Sequence, residues 1–191
     1  MRKTLIWTAI VLVVLFGGKY GYQKIKDNKI HTENKQAAAV QDTATDKTNN
    51  QKKAKTKEKE QTAKIGGVQY EIEIGADSIQ DAVIDVMHKM THQKVKAKEK
   101  WGAVPMIPDT IQQVYEIVSK SHFDKKEDLL AILEKWQKGQ FDEVDQDHNY
   151  FWRYQDGTIG KAYGILSKEE EQKFMANNFG EDFVKEVSSQ E

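Results

Sequence analysis

The stretch DSIQDAVIDVMHKMTHQ, residues 77–93, sets the fold class. Its apolar residues Ile79, Ala82, Val83, Val86, Met87 and Met90 recur every three or four positions, the period of one helical face. Asp77 or Ser78 is suited to cap this helix, and Asp77 and Asp81 bring negative charge to its first turns, where the helix dipole favours it. The helix formers of VKAKEKW extend the predicted helix to Trp101, and Gly102 ends it. The same period returns downstream. Asp109 caps a helix carrying Ile111, Val114, Tyr115 and Val118. A third covers Lys125–Lys138, with Leu129, Leu130, Ile132, Leu133 and Trp136 as its apolar face, and stops at Gly139. Phe141, Val144, His148, Phe151 and Trp152 mark a fourth within Phe141–Gln155. Ser167 and Glu170 form a capping box for the last helix, which buries Phe174, Met175 and Phe179 and ends at Gly180. Upstream, Val68, Tyr70, Ile72 and Ile74 alternate with polar residues. They predict a short strand or, for want of a partner, an extended arm laid on helices. The expectation is a mainly α compact C-terminal domain of about five helices with at most one or two short strands.

The rest of the chain is unlike this domain. Residues 1–64 hold 14 Lys or Arg against 6 Asp or Glu, and residues 65–191 hold 15 against 24, so the net charge of −1 conceals a basic and an acidic part. An acidic folded part argues against nucleic acid as a partner. The absence of cysteine excludes disulfides, a thiol nucleophile and zinc–thiolate sites. Near the start, Arg2 and Lys3 precede the apolar run Leu5–Gly18, and residues 4–22 would span about 28 Å as a helix, close to a bilayer core of about 30 Å. FGGKYGYQKIK offers no Ala-x-Ala cleavage site, which favours an uncleaved transmembrane anchor over a signal peptide that releases a secreted protein. Residues 1–26 are thus expected to be an anchor in the lipid bilayer, N-terminus cytoplasmic, with the C-terminal domain extracytoplasmic. Residues 27–64, Lys-rich and nearly free of large apolar side chains, are expected to be a disordered tether, with transient helix near 51–64. Residues 65–191 remain as the acidic helical domain.

Several groups could carry chemistry. His88 and His92 lie four apart and share a helical face, a spacing that can hold a divalent transition metal such as zinc. Lys89 stands where a metalloprotease helix has glutamate, and a third ligand, from Asp85, His122 or His148, depends on folding. The sequence alone therefore favours ordinary polar contacts and no cofactor, with metal as the alternative. Asp145, Asp147 and Asn149 match three positions of a calcium loop, but Tyr150 and Asp156 stand where glycine and glutamate are required. Asn149–Tyr154 is dense in aromatics, with Trp152 and Arg153 suited to recognising a polymer or protein. Gly157 and Gly160 read as a tight connection between helices. His88, His92, Trp101, His148, Asn149, Trp152 and Arg153 are expected to form one shallow pocket.

The segments MHKMTHQKVKAKEKWGAVPM and DHNYFWRYQDGTIGKAYGILSKEEEQKF resemble an uncharacterised family of small exported or membrane-anchored proteins of Gram-positive bacteria, of the bacillus and enterococcus kind. The resemblance implies a domain of unknown function and no chemistry. The function expected is a membrane-tethered, extracytoplasmic binding or envelope-associated domain, with an envelope protein or anionic cell-wall polymer as partner. The alternatives are a metal-dependent enzyme using His88 and His92, and a structural or regulatory membrane protein.

Overall fold

The computed structural model describes residues 53 and 55–189. The anchor expected at 1–26, including its span 4–22, and tether residues 27–52 lie outside the described residues. None of the described helices is long and apolar enough to cross a membrane.

The domain is mainly helical. Helix α1 covers 55–61. Then come α2 (Gln80–Thr91), strand β1 (Val95–Ala97), α3 (Pro108–Lys120), α4 (Lys126–Gln137), α5 (Val144–Tyr154), strand β2 (Ala162–Ile165), α6 (Lys168–Phe179) and α7 (Glu181–Ser188). Seven helices are therefore described where the sequence predicts about five. The additions are α1, which precedes Ile65, and α7, which follows the Gly180 stop and has no fully buried residue.

The α2–α5 faces close on one apolar cluster built on Met87, Val114, Leu133, Trp136 and Phe151. A smaller cluster joins Phe174, Met175 and Phe179 of α6 to Ala103 and Leu166. Ile79 is 68% exposed, so the buried face of α2 begins at Val83, and Ile84 belongs to it. Neither Asp77 nor Ser78 caps α2. Ile79 holds the cap position, and Ser78 Oγ instead accepts the Gly75 N–H at 2.9 Å. Ile107, not Asp109, precedes α3, where Thr110 Oγ1 accepts the Ile107 N–H at 3.2 Å. The Ser167–Glu170 capping box forms as its spacing implies, and Gly139 and Gly180 stop their helices at positive φ.

The helix predicted through Trp101 stops at Thr91. Val95–Ala97 pairs antiparallel with Ala162–Ile165, a partner 65 or more residues away that local propensity cannot foresee. Side-chain amides finish both edges of this two-stranded sheet. Ala97 and Ala162 face each other in register. Gln61 exchanges two hydrogen bonds with the Ala97 backbone, at 3.0 and 2.9 Å, and Asn149 does the same for Ala162, at 3.0 and 2.9 Å. Contacts with the domain thus begin before Ile65. Gln61 and Thr62 are buried, Asn177 Nδ2 donates to the Thr62 carbonyl at 2.7 Å, and Lys173 pairs with Glu58. The alternating segment from Val68 is the arm rather than the strand. Val68 makes one isolated bridge to Ala103, while Ile72 and Ile74 lie on the main cluster.

Candidate metal centre

Three imidazoles meet where α2 packs against α5. His88 and His92 lie on one face of α2, as their spacing requires, and His148 comes from α5. The ring centroids are 4.4 Å apart for His88–His148, 5.0 Å for His88–His92 and 5.3 Å for His92–His148. One ligand nitrogen from each lies within 4.8 Å of the other two. His92 and His148 are buried, and His88 is half-buried.

The surrounding hydrogen bonds engage one nitrogen of each ring. Gln155 turns its Nε2 toward Asp85 and its Oε1 toward His88, so His88 Nδ1–H donates to Oε1, at 2.5 Å. His92 Nδ1–H donates to the Gly102 carbonyl at 2.6 Å. The Thr91 hydroxyl donates to the His88 carbonyl at 2.6 Å, which leaves its oxygen to accept from His148 Nδ1–H at 2.8 Å. Each Nδ1 is thereby engaged, and with the Thr91 proton on the His88 carbonyl each Nε2 keeps a lone pair; in the other His148 tautomer Nε2–H donates to the Gly160 carbonyl and Nδ1 accepts from Thr91. His88 Nε2 lies 3.4 Å from His148 Nε2, and the Gly160 carbonyl is a further 3.1 Å from His148 Nε2. In the first tautomer these acceptors repel one another and a cation among them removes the repulsion; in the second a metal displaces the His148 Nε2 proton. In a tetrahedral zinc site with Zn–N bonds of about 2.0–2.1 Å, two nitrogens stand about 3.3–3.4 Å apart. The His88–His148 pair already has that spacing.

The electrostatics keep the imidazoles neutral, the form that binds metal. Burial lowers the pKa of His88 and carries that of His92 well below the ordinary histidine value. Burial, with His88 as neighbour, lowers His148 to about 3. Lys89, whose charge argues against a cation in the sequence, turns aside to Asp85, at 2.7 Å. Burial also pulls Lys100 to about 7, while three carbonyls, those of Gln61, His92 and Val95, accept from its amine at 2.9–3.1 Å.

His88, His92 and Gly160 line a cleft of about 510 Å³, and Trp101 and Trp152 line it with them. The other expected members lie elsewhere. Asn149 finishes the edge of β2, and Arg153 is exposed on α5 outside the cleft lining. Asp147 turns to Lys135 and Trp136, at 2.5 and 2.9 Å, so the partial calcium motif is a stretch of helix with its oxygens engaged elsewhere. Of the third ligands considered in the sequence, Asp85 reaches His88 only through Gln155, and exposed His122 is not in the cluster. Gly157 and Gly160 connect α5 to a strand rather than to a helix. A β-carbon on Gly157 would lie 2.3 Å from the Trp152 indole, and one on Gly160, at φ +89°, would lie 2.7 Å from the Glu99 carbonyl oxygen.

Thr91 and Gln155 were not among the expected site residues. The signals for them are weak but present. Thr91 is three positions after His88 and Gln155 seven after His148, spacings that share a helical face. Residues 87–176 match DUF6241, a family of unknown function. That stretch carries all three histidines and both tryptophans of the cleft, and the match assigns no activity. No curated protein and no solved structure matches the chain.

Proposed function

We propose that this chain is a membrane-tethered domain that holds a divalent transition metal of the zinc class on His88, His92 and His148, and that it works outside the membrane as a binding domain. One observation carries the metal: one ligand nitrogen from each of three histidines lies within 4.8 Å of the other two, while every Nδ1 has a hydrogen-bond partner. Partners on the far nitrogen orient a histidine and raise its basicity toward a metal. Zinc fits better than calcium or magnesium, which take oxygen ligands. Three protein ligands, two of them lining a cleft, resemble an exchangeable metal site more than a closed structural one. The membrane and location rest on the apolar run Leu5–Gly18 behind Arg2 and Lys3, and on the poor cleavage boundary after it.

Titration of the metal-free full chain in detergent with zinc checks the site. Saturation at one ion per chain is expected, with loss of binding in His88→Ala/His148→Ala; absence of stoichiometric binding in the parent chain sinks the reading. Protease added to intact protoplasts carrying the chain should remove the domain and leave the anchor fragment. A fully protected domain would reverse the proposed orientation.

A further inference from the structure

Three imidazoles supply three of the four bonds of a tetrahedral ion, and among the described residues no fourth His, Cys, Asp or Glu joins them; the Gly160 carbonyl beside His148 is a neutral oxygen, a weaker zinc ligand than a carboxylate. The cleft that His88 and His92 line is the side from which a fourth ligand arrives. Its charged walls are Glu60, Asp85, Lys89, Lys98, Glu99 and Lys100, three acids and three bases. A divalent ion on the floor therefore leaves the cleft positive and selects an anion. Lys98 has no ion pair among the described residues and is available to it.

The walls also hold two fixed indoles. Trp101 rests on Gly66, where a β-carbon would come within 2.3 Å of its ring, and it is nonetheless 74% exposed. Trp152 rests on Gly157, with its N–H held by the Ile159 carbonyl at 2.8 Å. Ile159 adds exposed apolar surface to the same cleft. Such surface gathered around one cleft marks a binding site, where single exposed residues do not. Glycine seats place both rings before any ligand arrives, which lowers the ordering cost of binding.

Resting on the metal reading above, we infer that the cleft takes a carboxylate-bearing sugar ring. The carboxylate takes the fourth position on the ion, and the C–H face of the ring lies on Trp101 and Trp152. A pyranose has an apolar face and hydroxylated edges, which suits exposed indoles among charged side chains. A wholly aromatic acid gains more from an enclosed apolar slot.

The test uses the full chain in detergent loaded with Co²⁺, whose visible absorption reports its coordination. Glucuronate, acetate, glucose and benzoate are the probes. Glucuronate should change the spectrum with an apparent Kd at least tenfold lower than acetate or benzoate, and glucose should leave it unchanged. Trp101→Ala, at a largely exposed position, should erase the advantage over acetate while cobalt stays at one per chain; Trp152→Ala should weaken it. Equal binding of glucuronate and acetate, benzoate as tight as glucuronate, or an advantage that survives Trp101→Ala overturns the inference and leaves the metal reading standing. Failure to hold one cobalt per chain before any probe is added overturns both.

Discussion

Asp147 and His148 are neighbours on α5, both buried, and they end in opposite chemical states. The Asp147 carboxylate accepts from Lys135 Nζ and from the Trp136 indole, so each oxygen has a donor and the cluster is closed. His148 has its Nδ1 engaged by Thr91, while its Nε2 faces another imidazole nitrogen and a carbonyl oxygen. Burial and hydrogen bonding are common to both. What separates a structural polar cluster from a candidate site is the partner: Asp147 meets two donors, whereas His148 Nε2 meets a second imidazole nitrogen, itself a metal-ligating group.

The largest expected effect tests the open side. His148→Ala should weaken zinc binding at least about a thousandfold, equivalent to about 4 kcal/mol, read by competition with a chromophoric chelator. A loss below tenfold would place His148 outside the site and dissolve the contrast with Asp147. Next is the closed side: Asp147→Ala leaves the Trp136 indole N–H and Lys135 without their acceptor and should lower stability by about 2–3 kcal/mol in urea unfolding. Zinc stoichiometry should not change. If it does, the two clusters are one.

Thr91→Val sharpens the comparison, since it keeps the shape and removes the hydroxyl that orients His148. Zinc affinity should fall about 10–100-fold, the usual effect of removing a partner of a metal ligand. Unchanged affinity would mean that packing alone orients the ring. The smallest effect is a pH slope in the metal-free chain. An unfolded histidine takes a proton near 6.5, whereas folded His148 resists to about 3. Stability is therefore whole above about 6.5 and declines as pH falls toward 3, by up to ~1.4 kcal/mol per pH unit for each histidine held neutral. Thermal melts from pH 7.5 to 5 should show the decline in the parent chain and a shallower one in His148→Ala. Equal slopes would place the titration elsewhere.

Much of the helical framework was legible because helices are local. The periods of α2, α3, α4 and α5 and the Ser167–Glu170 box lie within a few turns of sequence. The segment 94–101 departs from its local propensity for the complementary reason. Its lysines and alanine favour helix, but Val95–Ala97 gains backbone partners on β2 and the Gln61 amide, none of them nearby in sequence. The site divides in the same way. His88 and His92 share a face by spacing alone, and Lys89 beside them spoke against metal until the fold turned it to Asp85.

By itself the sequence determined a mainly helical C-terminal domain, the shared face of His88 and His92, and the glycine stops at 139 and 180. Hydrophobic period, residue spacing and allowed backbone angles act over a few residues, so one strand of text contains them. Only the tertiary structure decided that His148 and not Asp147 joins those histidines, that Thr91 and Gln155 meet their Nδ1 atoms, and that Trp101 and Trp152 flank one cleft. The histidine contacts join segments about 60 residues apart in the chain and follow from how α2 packs on α5, while Trp101 is placed by its seat on Gly66, so none of this follows from spacing along the chain.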